Sequence, residues 1–251
     1  MSLLAVERIK LFSTRSPYWC LGAILVAALA FGLLIGLGDS GRQAIPFFAL
    51  RGVALGQSIF MIMAALAITT EYRFSTIRST FLAAPKRTTV LLAKTLLLAG
   101  LGAVVGFVSA IGAFFLTKAL AKQPPEPLVL QGEVWREVAG YSALFAIAAV
   151  IAVSVGTLLR QSAGAITLLL LWPLLVETLF TLIPTVGPKV GPWLPFAAGS
   201  EFVTPTSNIA GLQDFLSNRS APSPVQGVLV FLATAVVLWI LAAFVLNKRD
   251  A

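Results

Sequence analysis

The stretch Tyr18-Trp19-Cys20-Leu21-Gly22-Ala23-Ile24-Leu25-Val26-Ala27-Ala28-Leu29-Ala30-Phe31-Gly32-Leu33-Leu34-Ile35-Gly36-Leu37 holds no charged residue over twenty positions. As a helix rising about 1.5 Å per residue it is about 30 Å long, which matches the hydrocarbon core of a bilayer. It reads as a membrane span. Working outward, five more segments reach spanning length: Ile45–Thr69, Leu91–Thr117, Val138–Leu159, Ala163–Ile183 and Gln226–Leu246. Of the 251 residues, 58% are apolar and 11% charged, whereas soluble domains carry roughly 25% charged residues. The spans are rich in Leu, Ala, Val and Gly and too long for membrane strands, so the expected fold is all-α. Residues 1–251 form a single transmembrane domain in this reading, with residues 1–17 as a lead-in and no room for a separate soluble domain of typical size.

The chain has no histidine and one cysteine, Cys20. Histidine-dependent hydrolysis, a histidine-ligated metal and histidine-held haem are thereby excluded within this chain, and no metal site is expected. Nor can an intrachain disulfide form. Ala28-Leu29-Ala30 has the look of a signal-peptide cleavage site, but the apolar run continues through Leu37, so an uncleaved span is expected.

The formal net charge is +8, which could suggest a nucleic-acid partner. Its distribution says otherwise. With the N-terminus in the cytoplasm, the inner segments hold Arg8, Lys10, Arg15, Arg73, Arg78, Lys86, Arg87, Lys94, Arg160, Lys248 and Arg249. The longer outer loops hold only Arg42, Lys118, Lys122, Arg136, Lys189 and Arg219. That is the positive-inside pattern of a bilayer-embedded protein with both ends cytoplasmic, and no nucleic acid is implied.

Gly38–Ala44 and Arg160-Gln161-Ser162 are tight turns that force antiparallel neighbours, pairing spans one with two and four with five. The outer stretch Pro184–Val225 includes Gly191-Pro192-Trp193-Leu194-Pro195-Phe196-Ala197-Ala198, too apolar for a freely solvated loop. It fits either a loop anchored by aromatics at the interface or a segment dipping partly back into the membrane; the partly re-entrant form is the expectation. Gly32/Gly36, Gly52/Gly56 and Gly102/Gly106/Ala110 have the spacing that lets helix backbones approach closely.

Between spans two and three, helical spacing sets Phe74, Ile77, Phe81 and Ala84 on one stripe, with Thr76, Ser79 and Thr80 opposite. Glu71 near the start suits the helix dipole and Pro85 ends the helix. By itself this is an amphipathic cytoplasmic helix that either turns the chain at the membrane surface or docks a partner.

Two stretches narrow the choice. Glu7-Arg8-Ile9-Lys10-Leu11-Phe12-Ser13-Thr14-Arg15-Ser16-Pro17-Tyr18-Trp19 resembles the E-x-x-K-L-x-[ST]-x-R-[ST]-x-x-W opening of bacterial type-two ABC exporter permeases. Glu71–Arg87 is similar to that family's E-[YF]-x-x-[GS]-T-[IL]-R-x-[TS]-[LF]-x-x-x-P-x-R segment, with Lys94 following. Ser75 departs from the pattern where glycine is frequent, and Ile9 where a bulky residue such as Trp is common. The resemblance implies a half-transporter in a bacterial plasma (inner) membrane that moves its substrate by alternating access. It would pair with a second permease, as a homodimer or heterodimer, above two copies of a separately encoded ABC ATPase. The chain lacks a G-x-x-x-x-G-K-[ST] loop, so ATP and magnesium would sit on the partner, leaving this chain no catalytic residues and no cofactor. Glu71, Arg73, Phe74, Thr76, Ile77, Arg78, Phe81 and Pro85 would then be the ATPase-coupling residues.

Arg51 and Glu177 each lie six residues from the outer end of their spans, at matched depth. They are expected either to pair, within or between subunits, or to reach water separately. The resemblance places spans two and five along the pathway. It makes Arg51, Gln57, Phe60, Trp172 and Glu177 the pathway-lining candidates, with Pro173 loosening span five. The rival class is a secondary transporter or channel driven by an ion gradient, which usually carries more intramembrane polar groups than these.

Overall fold

The apolar segments can satisfy their backbone hydrogen bonds inside a bilayer only by winding into helices. The computed structural model describes residues 3–38, 44–77, 80, 86–124, 128–205 and 221–248, and among them all regular structure is helical. In chain order the helices are α1 (Leu3–Phe12), α2 (Ser16–Leu37), α3 (Pro46–Ala49), α4 (Arg51–Arg73), α5 (Arg87–Leu120), α6 (Gly132–Leu159) and α7 (Ser162–Leu171). A π-helical turn, Trp172–Val176, leads into α8 (Glu177–Thr181), followed by α9 (Gly187–Val190), α10 (Pro195–Glu201) and α11 (Pro224–Lys248). Six helical stretches are long and apolar enough to cross a membrane: α2, Pro46–Arg73, α5, α6, Ser162–Thr181 and α11. The chain is a multi-pass helical protein, as its composition demands.

α6 is the axis of the bundle, packed against α4, α5, α7 and α11. About 67% of its apolar window is buried, against 17% for the fifth span, so the fifth span leaves most of its surface to lipid or to another chain. The core between α4, α5 and α6 is closed by Phe60 and Phe145, whose rings lie 5.6 Å apart between centroids. All three small-residue motifs sit at helix crossings. A Cβ on Gly52 would strike the Ala27 carbonyl of α2, and one on Gly106 would meet Tyr141 and Phe145 of α6. A Cβ on Gly32 would meet Ala113 of α5. With no hydrophobic drive between helices in lipid, such close backbone approach is what packs them.

Three spans run longer than their hydropathy indicates, among them α6, which begins at Gly132 rather than Val138. α4 continues through Arg73 and α5 begins at Arg87. Glu71 therefore lies in the last turn of span two, rather than opening a separate surface helix. Hydropathy missed this because the extra turns carry charges, Glu71 and Arg73 in α4 and Arg87 in α5, of which the fold buries Glu71.

Side-chain contacts assign the two ends of the bundle. Ser162 Oγ donates to Thr69 Oγ1 (2.9 Å), and Arg87 donates to the Leu246 carbonyl (3.3 Å). With the α1 contacts described next, these bring α1, the end of α4, the starts of α5 and α7, and the end of α11 to one basic end. The opposite end gathers α3, α10 and the start of α11.

Candidate functional site

At the basic end, α1 lies against α5 and brings Glu7 to Lys94, 87 positions away in the chain. Lys94 Nζ donates to Glu7 Oε2, to Glu71 Oε1 (2.9 Å) and to the Ala67 carbonyl (3.2 Å). Lys10 Nζ donates to Glu7 Oε1 (3.1 Å), to Glu71 Oε1 (3.5 Å) and to Thr80 Oγ1 (2.9 Å). Glu7, Lys94 and Glu71 are 3%, 4% and 9% exposed. Any one of these charges buried alone would cost several kcal/mol; two carboxylates interleaved with two ammonium groups compensate one another. The network fastens α1, the end of α4, Thr80 and the start of α5 at one point. An open-sided cavity of about 630 Å³ adjoins it, lined by all four charged residues.

Just beyond Glu71 the chain breaks. Ser75 adopts φ 57°, the left-handed region that favours glycine. Ser75 is the position noted in the sequence as departing from a frequent Gly, and the backbone it adopts is one that glycine takes without strain. The break changes the stripe read from helical spacing. Phe74 projects outward at 67% exposure, with the Arg73 guanidinium 5.6 Å over its ring, whereas Ile77 turns inward at 3%. Arg73 and Thr76 are exposed beside Phe74. Arg78, Phe81 and Pro85 lie outside the described residues, as does Ala84 of the same stripe.

The opposite end is organised by Glu177. Pro173 has no N–H to give, and the helix around it widens into a π-turn in which the Glu177 N–H reaches the Trp172 carbonyl. In an ordinary α-helix residues five apart sit roughly 140° apart around the axis; i→i+5 winding brings them to one side. Trp172 Nε1 thus donates to Glu177 Oε1 (3.1 Å). Two further donors are the backbone N–H groups of Phe196 (3.0 Å) and Ala197 (2.7 Å), in the first turn of α10. At the other end of α10, Arg136 of α6 donates to the carbonyls of Phe202 and Thr204. An acid at the N-terminus and a base at the C-terminus both complement the helix dipole.

Among the described residues Arg51 and Glu177 do not pair with each other within the chain. Both Glu177 oxygens already accept hydrogen bonds, and Arg51 lies exposed at the head of α4 with its guanidinium 4.2 Å over the Phe47 ring. Of the pathway candidates, Gln57 lines a cavity of about 120 Å³ together with Ser58, Pro173, Phe196 and Ser200. Trp172 and Glu177 border the same region through Phe196. Phe60 stands apart, fully buried in the core against Phe145.

Compared with protein-family models and with curated proteins, the chain matches none.

In the sequence Lys10, Lys94 and Arg136 all register as topology signals, and Lys10 and Lys94 also accompany the two resembled stretches, but none of the three has a partner visible across the fold. The i,i+3 spacing of Glu7 and Lys10 was a visible hint, but their partners across the fold were not.

Proposed function

We propose that this chain is the membrane-spanning permease subunit of an ATP-binding-cassette exporter, working with a second permease and two separately encoded ATPase subunits in a bacterial plasma membrane. The observation that carries the reading is the buried Glu7–Lys94–Glu71–Lys10 network. Its members come from the two stretches that resemble the exporter pattern and from the lysine that follows them. Distant motif residues that meet in one buried polar joint are what a force-transmitting junction requires.

In this reading the basic end faces the cytoplasm and the exposed Phe74, with Arg73 and Thr76, seats in an ATPase groove. Glu71 holds the joint rather than touching the partner. Interlocked buried charges resist gradual deformation, so ATP-driven movement of the ATPases shifts α1, α4 and α5 together. The answering element at the outer end is α10, a partly re-entrant helix tied to the fifth span by Glu177 and to α6 by Arg136. Relative movement of these two spans would carry α10 and open the small cavity beside Gln57. Substrate would leave by this route.

The test is Phe74→Asp, made in the native host and followed by affinity purification from gently solubilised membranes. The reading predicts that a phosphate-loop ATPase co-purifies with the wild type and is lost from the variant, while both proteins reach the membrane equally. Absence of such an ATPase from the wild-type preparation, or its full retention by the variant, would refute the proposal.

A further inference from the structure

Glu7 and Lys10 turn one side of α1 into the charged joint. The other side is left outward, where Leu4, Arg8 and Ile9 are exposed; positions 4 and 8 stand one turn apart on one helix face. The chain then bends through Ser13 and Thr14, and Arg15, Tyr18 and Trp19 follow, all exposed. This corner is braced. Tyr18 Oη donates to the Phe12 carbonyl (3.5 Å), and the two rings lie 5.5 Å apart between centroids. Trp19 is 78% exposed, the most open of the large apolar side chains among the described residues.

Depth and charge together select what covers this surface. Tyr18 and Trp19 belong to the first turn of α2, the helix of the first span. The surface therefore straddles the boundary between hydrocarbon and headgroups, the level at which Trp and Tyr rings settle. A soluble partner does not reach the Trp19 ring there, whereas a lipid meets it unavoidably. The polar part of the surface carries one sign of charge. Glu7 is the only acid from Leu3 to Trp19, and it is buried against Lys94 and Lys10. Arg8 and Arg15 have no acidic partner among the described residues. Guanidinium groups present planar forks of donors that match phosphate oxygens. A zwitterionic headgroup brings its own cation to the same place, but an anionic one does not.

We propose that the corner between α1 and α2 is a binding site for an anionic phospholipid of the surrounding bilayer. Arg8 and Arg15 hold its negative headgroup, and the upper part of its acyl chains lies against Trp19. Bound there, the lipid secures α1 from outside while Lys94 secures it from within. The site belongs to this chain alone, so its failure and the failure of the ATPase reading are separate outcomes.

The experiment is native mass spectrometry of the purified chain in detergent, titrated with phosphatidylglycerol or phosphatidylcholine of identical acyl chains. Phosphatidylglycerol should bind about tenfold more tightly, as expected for two arginines at a membrane surface. Equal binding of the two lipids overturns the proposal and leaves the face to a protein partner. Arg8→Gln combined with Arg15→Gln should cut phosphatidylglycerol binding by about tenfold and leave phosphatidylcholine binding unchanged; a preference that survives both substitutions also overturns it. The control is Lys86→Gln combined with Lys248→Gln, which removes the same charge from two other exposed positions at the basic end. The control should keep the preference. If it loses the preference as fully as the arginine variant does, the lipid answers only to diffuse positive charge and the proposal falls.

Discussion

Lys94 is a cation inside a span, and its position would be untenable without the three acceptors around it. Removing it leaves Glu7 and Glu71 buried with only the half-exposed Lys10 to balance them. Lys94→Met should therefore destabilise the protein by about 3–5 kcal/mol, seen as a lowered unfolding midpoint in detergent. Adding Glu7→Gln and Glu71→Gln should recover most of that loss, since the uncompensated charges go with them. Recovery would show that charge compensation, rather than packing of the lysine stem, is what Lys94 supplies. In sequence these residues were legible as charges on one side of a membrane and as members of, or neighbours to, the two resembled stretches, but not as partners. Their pairing depends on α1 folding back onto α5, which no local pattern encodes. For Arg51 and Glu177, matched depth left pairing and separate access to water both open; within the chain they do not pair, because backbone N–H groups at the start of α10 take the carboxylate.

At the scale of elements, α10 has seven residues, too short to be stable on its own. Glu177 at its first turn, Arg136 at its last, and the close fit of Ala198 against Gly227 of α11 hold it in place. Glu177→Gln removes the charge that complements the dipole, and Arg136→Ala frees the carbonyls at the far end. Each should raise amide hydrogen exchange across residues 195–201 by about tenfold, with exchange in α6 unchanged. Equal protection in both variants would mean that burial alone holds the helix. The sequence identified this stretch as too apolar for a loop and Pro173 as a weak point in span five. It could not show the π-turn that brings Trp172 onto Glu177, because that depends on which irregular winding satisfies the backbone around Pro173. The stripe from Phe74 to Ile77 failed for a related reason: a single left-handed residue, Ser75, rotates the two apart.

For the whole molecule, six spans and an all-helical fold were legible almost entirely from hydropathy, because a bilayer leaves the backbone so few choices. The three glycine motifs also located their crossings, since close approach is the main way helices associate in lipid. What hydropathy cannot register is a helical turn that carries charges, which is why α4 and α5 exceed their expected lengths. The proposed orientation can be tested by single-cysteine labelling, with Cys20 replaced by Ser. Ser223→Cys should react with a membrane-impermeant maleimide on intact cells, and Ser13→Cys only after permeabilisation; the reverse pattern would invert the topology. The central claim is that the basic end docks an ATPase through Phe74. A photo-crosslinking amino acid placed at position 74 in native membranes tests it most directly. The account predicts a specific adduct with a polypeptide that carries a phosphate-loop ATPase sequence, and adducts only with lipid or with another copy of this chain would contradict it.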